Sequence, residues 1–408
     1  MFRATLRRSL PRRPSPPPPA PNAAPLPHSL PSLPSKFSSP ISSSSSRGAG
    51  GAVPPPPPPQ PISFRLTPQV GFTVATVGLA VAGAAWYTNQ DTLERTASSS
   101  SLFSSWSRTL SGAPGTGLQP SLARQRWEET YALASETVKL AGSESNRLAI
   151  ILAENWVELN EAKRTAAELI VSFLGVWIAW RLPARLGVGK WLAHQPLSGK
   201  AVTLLTSTFS HRTLTHLGFN SIALFSFSSA TFAALSHSDS DLLPRSTSRY
   251  EFLALFATAG IVSALASHVW FSRVIAGGLL KRGLTTREAR SAILPSLGAS
   301  GAIYALVSLT ALSFPSTSVS LIFLPFFPIP IGLATSALVA VDLIGLLRGW
   351  RMFDHAAHLA GAASGAAWYL AGHAVFERVR SWMWDGQKKQ IEDKRRRSNR
   401  GGGGWVSI

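Results

Sequence analysis

Three short stretches place hydroxyl, imidazole and amide side chains inside segments that are otherwise apolar. They read SHRTLTHLGFN at 210–220, LGASGAIY at 297–304 and DHAAHLAGAASGAAWY at 354–369. Polar groups are costly within a membrane, so those that occur there are candidates for function. The chemistry they could share is attack by a serine hydroxyl on a carbonyl, with a histidine as the base that accepts the serine proton.

The middle stretch supplies the nucleophile. Ser300 is predicted near the start of a helix, where backbone N–H groups have no partner within the helix. Gly298 and Gly301 leave room for a neighbouring backbone to come close, and Tyr304 lies one turn further along the same face. A serine in this setting can meet a substrate carbonyl, although a small-residue packing face would give the same pattern.

The last stretch supplies the base. His358, Gly361 and Gly365 stand at positions i, i+3 and i+7, which form one continuous stripe on a helix. A histidine on a glycine-lined stripe can reach another helix at backbone distance, so His358 is the predicted base for the serine. His355, three residues earlier, has no glycine three residues on and is the weaker choice.

The first stretch supplies hydrogen-bond donors. His216 and Asn220 are four residues apart and share a helix face, whereas His211 lies at the entrance of the predicted span. A tetrahedral intermediate carries a negative oxygen, which the His216 ring, the Asn220 amide and the Ser300 N–H could stabilise. Interhelical hydrogen bonding alone is the alternative for this stretch.

Metal and cofactor chemistry has little support in the sequence. The chain has no cysteine, so thiolate metal sites and disulfides are excluded. Two histidines without a carboxylate make a poor metal site, and neither HExxH nor the carboxylate pair of aspartyl membrane proteases is present. The intramembrane acids Glu168 and Asp342 stand in no recognisable motif. We therefore expect no metal and no cofactor.

The composition is that of a membrane protein. Hydrophobic residues make up 45% of the 408 residues and charged residues only 14%, against roughly 25% in soluble proteins. The net charge of +19 does not indicate nucleic-acid binding, because no acid precedes Asp91 while arginines and serines crowd the N-terminal region. That pattern is typical of an organelle transit peptide, and arginines ahead of serines favour the mitochondrion.

Seven apolar runs predict transmembrane helices, at about 70–87, 165–182, 213–236, 252–271, 294–314, 330–347 and 355–375. Residues 1–60 are predicted to be a transit peptide and a Pro/Ser-rich linker, 91–164 a polar segment containing a helix, and 376–408 a basic tail. Three prolines in SLIFLPFFPIP, at 320–330, would break a continuous helix, so we expect a loop or interfacial segment there.

Taken together, the three polar stretches resemble the motifs of the rhomboid intramembrane serine proteases. That family carries H-x4-H-x3-N, G-x-S-G-x-x-Y and H-x-x-G-x-x-x-G in this order, and no position of the three is missing here. The resemblance covers roughly residues 165–375, and the extra N-terminal span with the DHAAHL context is similar to the mitochondrial, presenilin-associated branch. It implies an all-α membrane protein of the inner mitochondrial membrane, with a six-helix core and one extra N-terminal transmembrane helix.

The resemblance also implies roles for individual residues. It implies a Ser–His dyad, with Ser300 as nucleophile and His358 as general base and acid, and an oxyanion hole formed by His216, Asn220 and the Ser300 N–H. Tyr304 would pack against the His358 ring and hold it, as an aspartate does in soluble triads. The supporting positions that it implies are His211, Gly298, Gly301, Tyr304, Gly361 and Gly365.

The implied substrates are single-span transmembrane proteins of the inner membrane, such as mitochondrial precursors or dynamin-like GTPases. A noncatalytic binder of transmembrane helices is the alternative function. A seven-span transporter or receptor would need charged residues paired across several spans, and most of the predicted spans contain none.

Overall fold

Most of the chain is helical in the computed structural model, which describes residues 66–98, 119–140, 147–183, 186–236, 242–321 and 324–401. In chain order the elements are α1 (Thr67–Ser98), α2 (Pro120–Leu140), α3 (Arg147–Glu158), α4 (Glu161–Ala179), α5 (Gly189–Leu192), α6 (Thr203–Thr206), α7 (Leu214–Ser236), α8 (Arg249–Val269), α9 (Ala276–Lys281), α10 (Thr286–Ala292), α11 (Ser300–Ser313), β1 (Ser318–Leu321), β2 (Leu324–Pro330), α12 (Ile331–Arg348), α13 (His355–Ala367) and α14 (His373–Gly401). Wide helical turns at Trp270–Ile275 and Trp368–Gly372 join α8 to α9 and α13 to α14. The predicted transit peptide and linker lie outside the described residues.

Four of the described helices are long and apolar enough to cross a membrane, namely Thr67–Thr96, Leu214–Ser236, Arg249–Lys281 and Ile331–Arg348. They coincide with four of the seven predicted spans. The other three predicted spans fall on α4, α11 and α13, which are shorter or carry more charge within the described ranges. The all-α membrane fold is confirmed, whereas the arrangement of six core spans plus one stays a prediction.

The helix α11 starts later than its apolar run. The run was predicted to be helical from 294, but the helix begins at Ser300 and ends at Ser313. Fourteen residues rise about 21 Å, well short of the ~30 Å hydrocarbon core of a bilayer. If the far end of α11 lies near one membrane surface, its first residue lies below the other. From the length of the helix we therefore predict that Ser300 lies below the membrane surface.

The helix α11 is also the centre of the bundle. It packs against α7, α8, α12 and α13, while α4 covers α7 and α1 lies against α8 and α14. The main hydrophobic core sits between these helices and includes the buried side chains of Phe173, Leu224, Phe252, Phe256 and Leu306. Because helices surround α11 on several sides, its first turn is held by contacts from three different parts of the chain.

The helix α14 runs through the predicted boundary at residue 375 and joins the core. Glu377 and Arg380 are fully buried, and Arg380 donates to Glu377 (2.6 Å) and to Asn89 of α1 (3.0 Å). The buried Arg245 pairs with both Glu251 (2.8 Å) and Glu377 (3.4 Å). The sequence of this region reads as polar, but its buried charges are matched with one another, which permits them to lie inside the protein.

The proline-rich stretch at 320–330 is not helical, as predicted, and much of it lies in a two-stranded antiparallel hairpin. Strand β1 pairs with β2 in the register Ser318 to Pro330, with an irregularity between Val319 and Leu321. Prolines are tolerated because both strands of a two-stranded sheet are edges with unpaired sides. The hairpin returns the chain to Ile331, whose N–H donates to the Thr317 carbonyl (2.8 Å), where α12 begins.

Candidate active site

Ser300 is the first residue of α11 and lies two residues after Gly298, a glycine that no residue with a side chain could replace. Gly298 has φ +125°, and a Cβ built on it would lie 2.6 Å from Cε1 and 2.7 Å from Nε2 of the His216 ring. The imidazole of His216 therefore packs against bare backbone two residues before the serine. Because α11 begins at Ser300, the N–H groups of its first turn have no acceptor within the helix.

The loop that leads to Ser300 is held by backbone hydrogen bonds to the segment before α7. The Gly298 N–H donates to the Ser207 carbonyl (2.9 Å), and Ser296 and His194 exchange two bonds of 2.9 Å each. These bonds fix the entry angle of the chain into α11. The position of the serine is thus set by local backbone pairing as well as by helix packing.

His358 faces the serine from α13. Its Nε2 lies 2.9 Å from Ser300 Oγ, a normal hydrogen-bond distance. The approach is possible because α11 and α13 touch through their backbones: a Cβ on Gly361 would lie 2.1 Å from the Gly301 carbonyl oxygen. Gly301 itself has no spare room, since a Cβ there would lie 2.5 Å from that of Ser263. The glycines of the two motifs are therefore required for helix contact.

The other side of the His358 ring is occupied by Tyr304 and Asp342. The Tyr304 ring stacks on the imidazole at a centroid distance of 4.4 Å and an interplanar angle of 12°. Asp342 of α12 accepts from His358 Nδ1 (3.0 Å) and from the Tyr304 hydroxyl (2.6 Å). The stacking is what the resemblance implies, whereas the carboxylate is an addition that sequence reasoning missed.

His355 does not contact the serine in this arrangement. Its Nδ1 lies 2.6 Å from Asp342 Oδ1, the same oxygen that accepts from His358. The ring fits because α12 has a glycine at the contact: a Cβ on Gly345 would lie 2.4 Å from the imidazole. His355 therefore ties the start of α13 to α12.

Asp354 is a second residue that sequence reasoning missed. Its carboxylate caps α13 by accepting from the Ala357 N–H (3.2 Å), and it also accepts from the hydroxyls of Ser267 and Ser296, at 2.5 Å each. One side chain thus joins α8, the loop before Ser300 and the first turn of α13. A DxxA sequence at a helix start indicates an N-cap, but nothing in it indicates the two serines.

The predicted oxyanion donors are only partly brought together. The His216 ring lines the same cavity as Ser300, while the Asn220 side chain donates to the His216 carbonyl (2.9 Å) within α7. His211 supports this region from behind: its ring meets that of His216 edge to face at 5.0 Å, and its Nε2 lies 3.5 Å from the Ala299 N–H. Burial, with a contribution from the neighbouring His216, lowers the pKa of His211 to about 4, so its Nε2 can accept.

A cavity of about 490 Å³ opens onto Ser300 and His358. Its lining includes the polar groups of Arg212, Thr215 and Ser296 as well as the apolar side chains of Phe219 and Phe271. A mixed lining can admit both water and an extended apolar peptide segment. Within the described residues, no group of three or more His, Asp or Glu side chains has the arrangement of a metal site.

The hydrogen bonds and burial of His194, in the segment that pairs with the loop before Ser300, predict that the protein loses stability in acid. Thr203 Oγ1 donates to the Lys200 carbonyl (2.7 Å), so it accepts from His194 Nδ1 (2.8 Å), and the His194 Nε2 is left to accept from His268 (2.9 Å). Burial, followed by the charge of His268, lowers the pKa of His194 from its ordinary 6.5 to about 3. Between these values only the unfolded chain binds the proton, so stability falls as the pH falls through this window.

We therefore expect the thermal midpoint in detergent to decrease on going from pH 7 to pH 5, and to decrease less in His194→Gln. The difference in slope is at most about 1.4 kcal/mol per pH unit for one proton. His211, whose pKa is also lowered, accounts for part of the slope that remains. An identical slope in the variant would contradict this assignment.

The comparisons with known proteins lead to the family whose motifs the sequence resembles. Residues 198–374 match the rhomboid domain. The chain is 32% identical over 228 residues to presenilin-associated rhomboid-like protein A, mitochondrial, of Danio rerio, a match covering 55% of this chain and 52% of that protein. It is 33% identical over 223 residues to presenilin-associated rhomboid-like protein, mitochondrial, of Homo sapiens, covering 54% and 51% of the two chains.

A more distant relative is rhomboid protein 1, mitochondrial, of Saccharomyces cerevisiae. The identity is 30% over 223 residues, and the match covers 52% of this chain and 56% of the yeast protein. The chain thus spans about half the length of the relatives it matches. The name of each of these relatives places it in the mitochondrion.

Proposed function

We propose that this chain, which belongs to the mitochondrial branch of the rhomboid family, is a serine protease that cuts peptide bonds in or near transmembrane segments. It is a multi-pass mitochondrial membrane protein, and the inner membrane is consistent with its relatives. The observation that carries the proposal is the 2.9 Å contact between Ser300 Oγ and His358 Nε2, two residues that line an open cavity.

The contact has the geometry that acyl transfer needs. Ser300 Oγ attacks the substrate carbonyl carbon while His358 Nε2 takes the hydroxyl proton. The tetrahedral intermediate then collapses: the C–N bond breaks, the same proton passes from Nε2 to the leaving amine, and an ester joins the serine to the substrate. A water molecule activated by His358 hydrolyses that ester and restores the serine hydroxyl.

The negative oxygen of the intermediate would be stabilised by the start of α11 and by His216. The free N–H groups of the first helical turn point out of the helix end, where the helix dipole also favours negative charge. The His216 ring lies beside them, on Gly298. Asn220 would contribute after its amide turns from the His216 carbonyl towards the cavity, which needs rotation of one side chain only.

The proposed substrates are single-span proteins of the inner membrane, including mitochondrial precursors or dynamin-like GTPases. An intact helix engages its own carbonyls in hydrogen bonds, so the segment to be cut must unwind to reach Ser300. We propose further that residues 165–375 form the six-helix protease core, that α1 is an additional span, and that residues 1–60 direct the chain to the mitochondrion.

The test is cleavage by purified full-length protein in liposomes, with a labelled single-span substrate whose helix is weakened by glycine. The wild type is expected to cut it and Ser300→Ala to leave it whole, because the alanine has no nucleophile. Ser308→Ala is the matched control, since it removes another serine hydroxyl from α11, two turns further on. It should cut at the wild-type rate.

Two outcomes would contradict the proposal. Equal cleavage by wild type and Ser300→Ala would mean another nucleophile or a contaminating protease. Binding of several substrates with no cleavage by the wild type would instead favour the noncatalytic binder of transmembrane helices.

A further inference from the structure

We propose that Asp342 is a positioning residue of this protease, which orients the His358 ring and fixes the nitrogen that carries its proton. The inference rests on the proposed function, and it turns the Ser300–His358 pair into a chain of three groups. The carboxylate comes from α12, 42 residues after the serine and 16 before the histidine.

The geometry places Asp342 in line with the reacting atoms. Ser300 Oγ lies 2.9 Å from His358 Nε2, and the opposite ring nitrogen, Nδ1, lies 3.0 Å from Asp342 Oδ1. Asp342 is 3% exposed, so water does not compete for this contact. An unpaired aspartate in an apolar helix would be destabilising, since a buried charge without partners is strongly unfavourable.

Three donors hold the carboxylate in place. Oδ1 accepts from Nδ1 of both His358 (3.0 Å) and His355 (2.6 Å), and Oδ2 accepts from the Tyr304 hydroxyl (2.6 Å). The donors come from α11 and α13, so the carboxylate cannot rotate without breaking bonds to two helices. A group fixed in this way can impose its geometry on the ring that it contacts.

The contact determines the tautomer of His358. A carboxylate oxygen only accepts, so the proton of the neutral ring must be on Nδ1, and Nε2 presents a lone pair to the serine hydroxyl. When Nε2 takes that proton, the imidazolium forms beside a fixed negative charge, which stabilises it. Asp342 stays unprotonated throughout, and the proton leaves from Nε2 to the amine.

Tyr304 and Asp342 divide the task of holding the base. Stacking at 4.4 Å sets the plane of the His358 ring, but it cannot set which nitrogen carries the proton. The hydrogen bond to Asp342 sets the tautomer, and the Tyr304 hydroxyl links the two restraints. The tyrosine therefore acts on the histidine both directly and through the carboxylate.

The test is Asp342→Asn in the liposome assay, with kcat and KM measured separately. An asparagine can donate to Nδ1 and so favour the tautomer whose Nε2 cannot accept a proton. We expect kcat to fall by about 10²–10⁴-fold, the upper value being the effect of this change in soluble triads. KM should change by less than about threefold, because the residue does not touch substrate. The rate at which a fluorophosphonate labels Ser300 should fall together with kcat.

The matched control is Asp91→Asn, the same chemical change in a helix away from the site. Asp91 accepts from Arg95 (3.0 Å) and Arg126 (3.1 Å) and contacts Ser246, so its loss weakens helix packing as well. This variant should lose thermal stability while its folded molecules keep the wild-type kcat and labelling rate. A purely structural role for Asp342 would give the same result in Asp342→Asn, and that result would overturn the proposal.

Tyr304→Phe decides the matter if Asp342→Asn does not fold. It keeps the ring that stacks on His358 and removes only the hydroxyl bound to Asp342. We expect a fall in kcat of about 3–10-fold, the effect of one hydrogen bond. An unchanged kcat and labelling rate would overturn the claim that the Tyr304 hydroxyl holds the carboxylate in place on the base.

The two proposals fail in different ways. If Ser300→Ala cuts as fast as the wild type, the proposed function is wrong and Asp342 has no reaction to assist. If cleavage depends on Ser300 but Asp342→Asn keeps the wild-type kcat, the protease assignment stands and only the role of Asp342 is wrong.

Discussion

Replacing His358 with glutamine is expected to lower kcat by about 10⁴–10⁶-fold, the range seen when the base of a serine protease is removed. The imidazole Nε2 lies 2.9 Å from Ser300 Oγ, and no other side chain among the described residues is hydrogen-bonded to that oxygen. A glutamine amide fills a similar volume but neither takes up nor delivers a proton near neutral pH. The serine then attacks as a neutral hydroxyl, which is a poor nucleophile.

His355→Gln is the matched control for this prediction, because the two histidines are three residues apart on one helix. The His355 ring is directed at Asp342 and at the Gly345 face of α12, and its nitrogens do not reach the serine. Its loss removes one of three donors to the carboxylate, so kcat should fall by about tenfold or less. Kinetic measurement of both variants, with labelling of Ser300, checks the assignment. A larger loss in His355→Gln than in His358→Gln would mean that the wrong histidine has been named as the base.

The sequence predicts the proposed nucleophile and base better than the carboxylate proposed to position the base. Ser300 and His358 stand in short motifs, because the glycines that let their helices touch must occur at fixed helical spacing from them. No fixed spacing in the sequence relates Asp342 to these motifs, because it reaches His358 only when α12 and α13 pack against each other in the fold. A carboxylate in an apolar span was the signal available, but a lone acid can equally pair with any polar group that the fold brings to it.

Helix ends were the least predictable feature of the fold. The run from 294 is apolar enough to read as helix, yet the backbone pairs of Ser296 and Gly298 with the segment before α7 delay the helix to Ser300. Those pairs join residues about 90–100 apart in sequence, so hydropathy along the chain cannot reveal them. The continuation of α14 past 375 has the same cause, since Glu377 and Arg380 pair with each other and also with Arg245, in the loop before α8, and with Asn89 of α1.

The glycines of α13 determine how closely the helices that carry Ser300 and His358 approach each other. A Cβ on Gly361 would lie 2.1 Å from the Gly301 carbonyl oxygen, and a Cβ on Gly365 would lie 2.1 Å from that of Ala305. Both steps are four residues in the same chain direction, so α11 and α13 run parallel and stay in backbone contact over a full turn. The distance between the helix axes, and with it the distance between serine and histidine, is therefore set by the absence of two side chains.

Gly365→Ala is expected to lower both stability and activity, although residue 365 is two turns away from His358. One methyl group would overlap a main-chain oxygen, and no rotamer change can relieve a clash with backbone. Overpacking of this kind costs about 1–3 kcal/mol of unfolding free energy. If the helices separate by about 1 Å to admit the methyl group, the loss in kcat can reach about 10²-fold, because proton transfer from Ser300 depends on that distance.

The control for this prediction is Gly175→Ala in α4, where a Cβ meets no atom within 4 Å. The same substitution there should leave kcat unchanged and raise stability by up to about 1 kcal/mol, since alanine is the better helix former. Ala305→Gly should not rescue Gly365→Ala, because the obstacle is the carbonyl of residue 305 and not its side chain. Thermal unfolding in detergent and cleavage kinetics in liposomes measure both effects. Wild-type stability and kcat in Gly365→Ala would mean that α11 and α13 are not held in backbone contact, and the distance between Ser300 and His358 would then need another explanation.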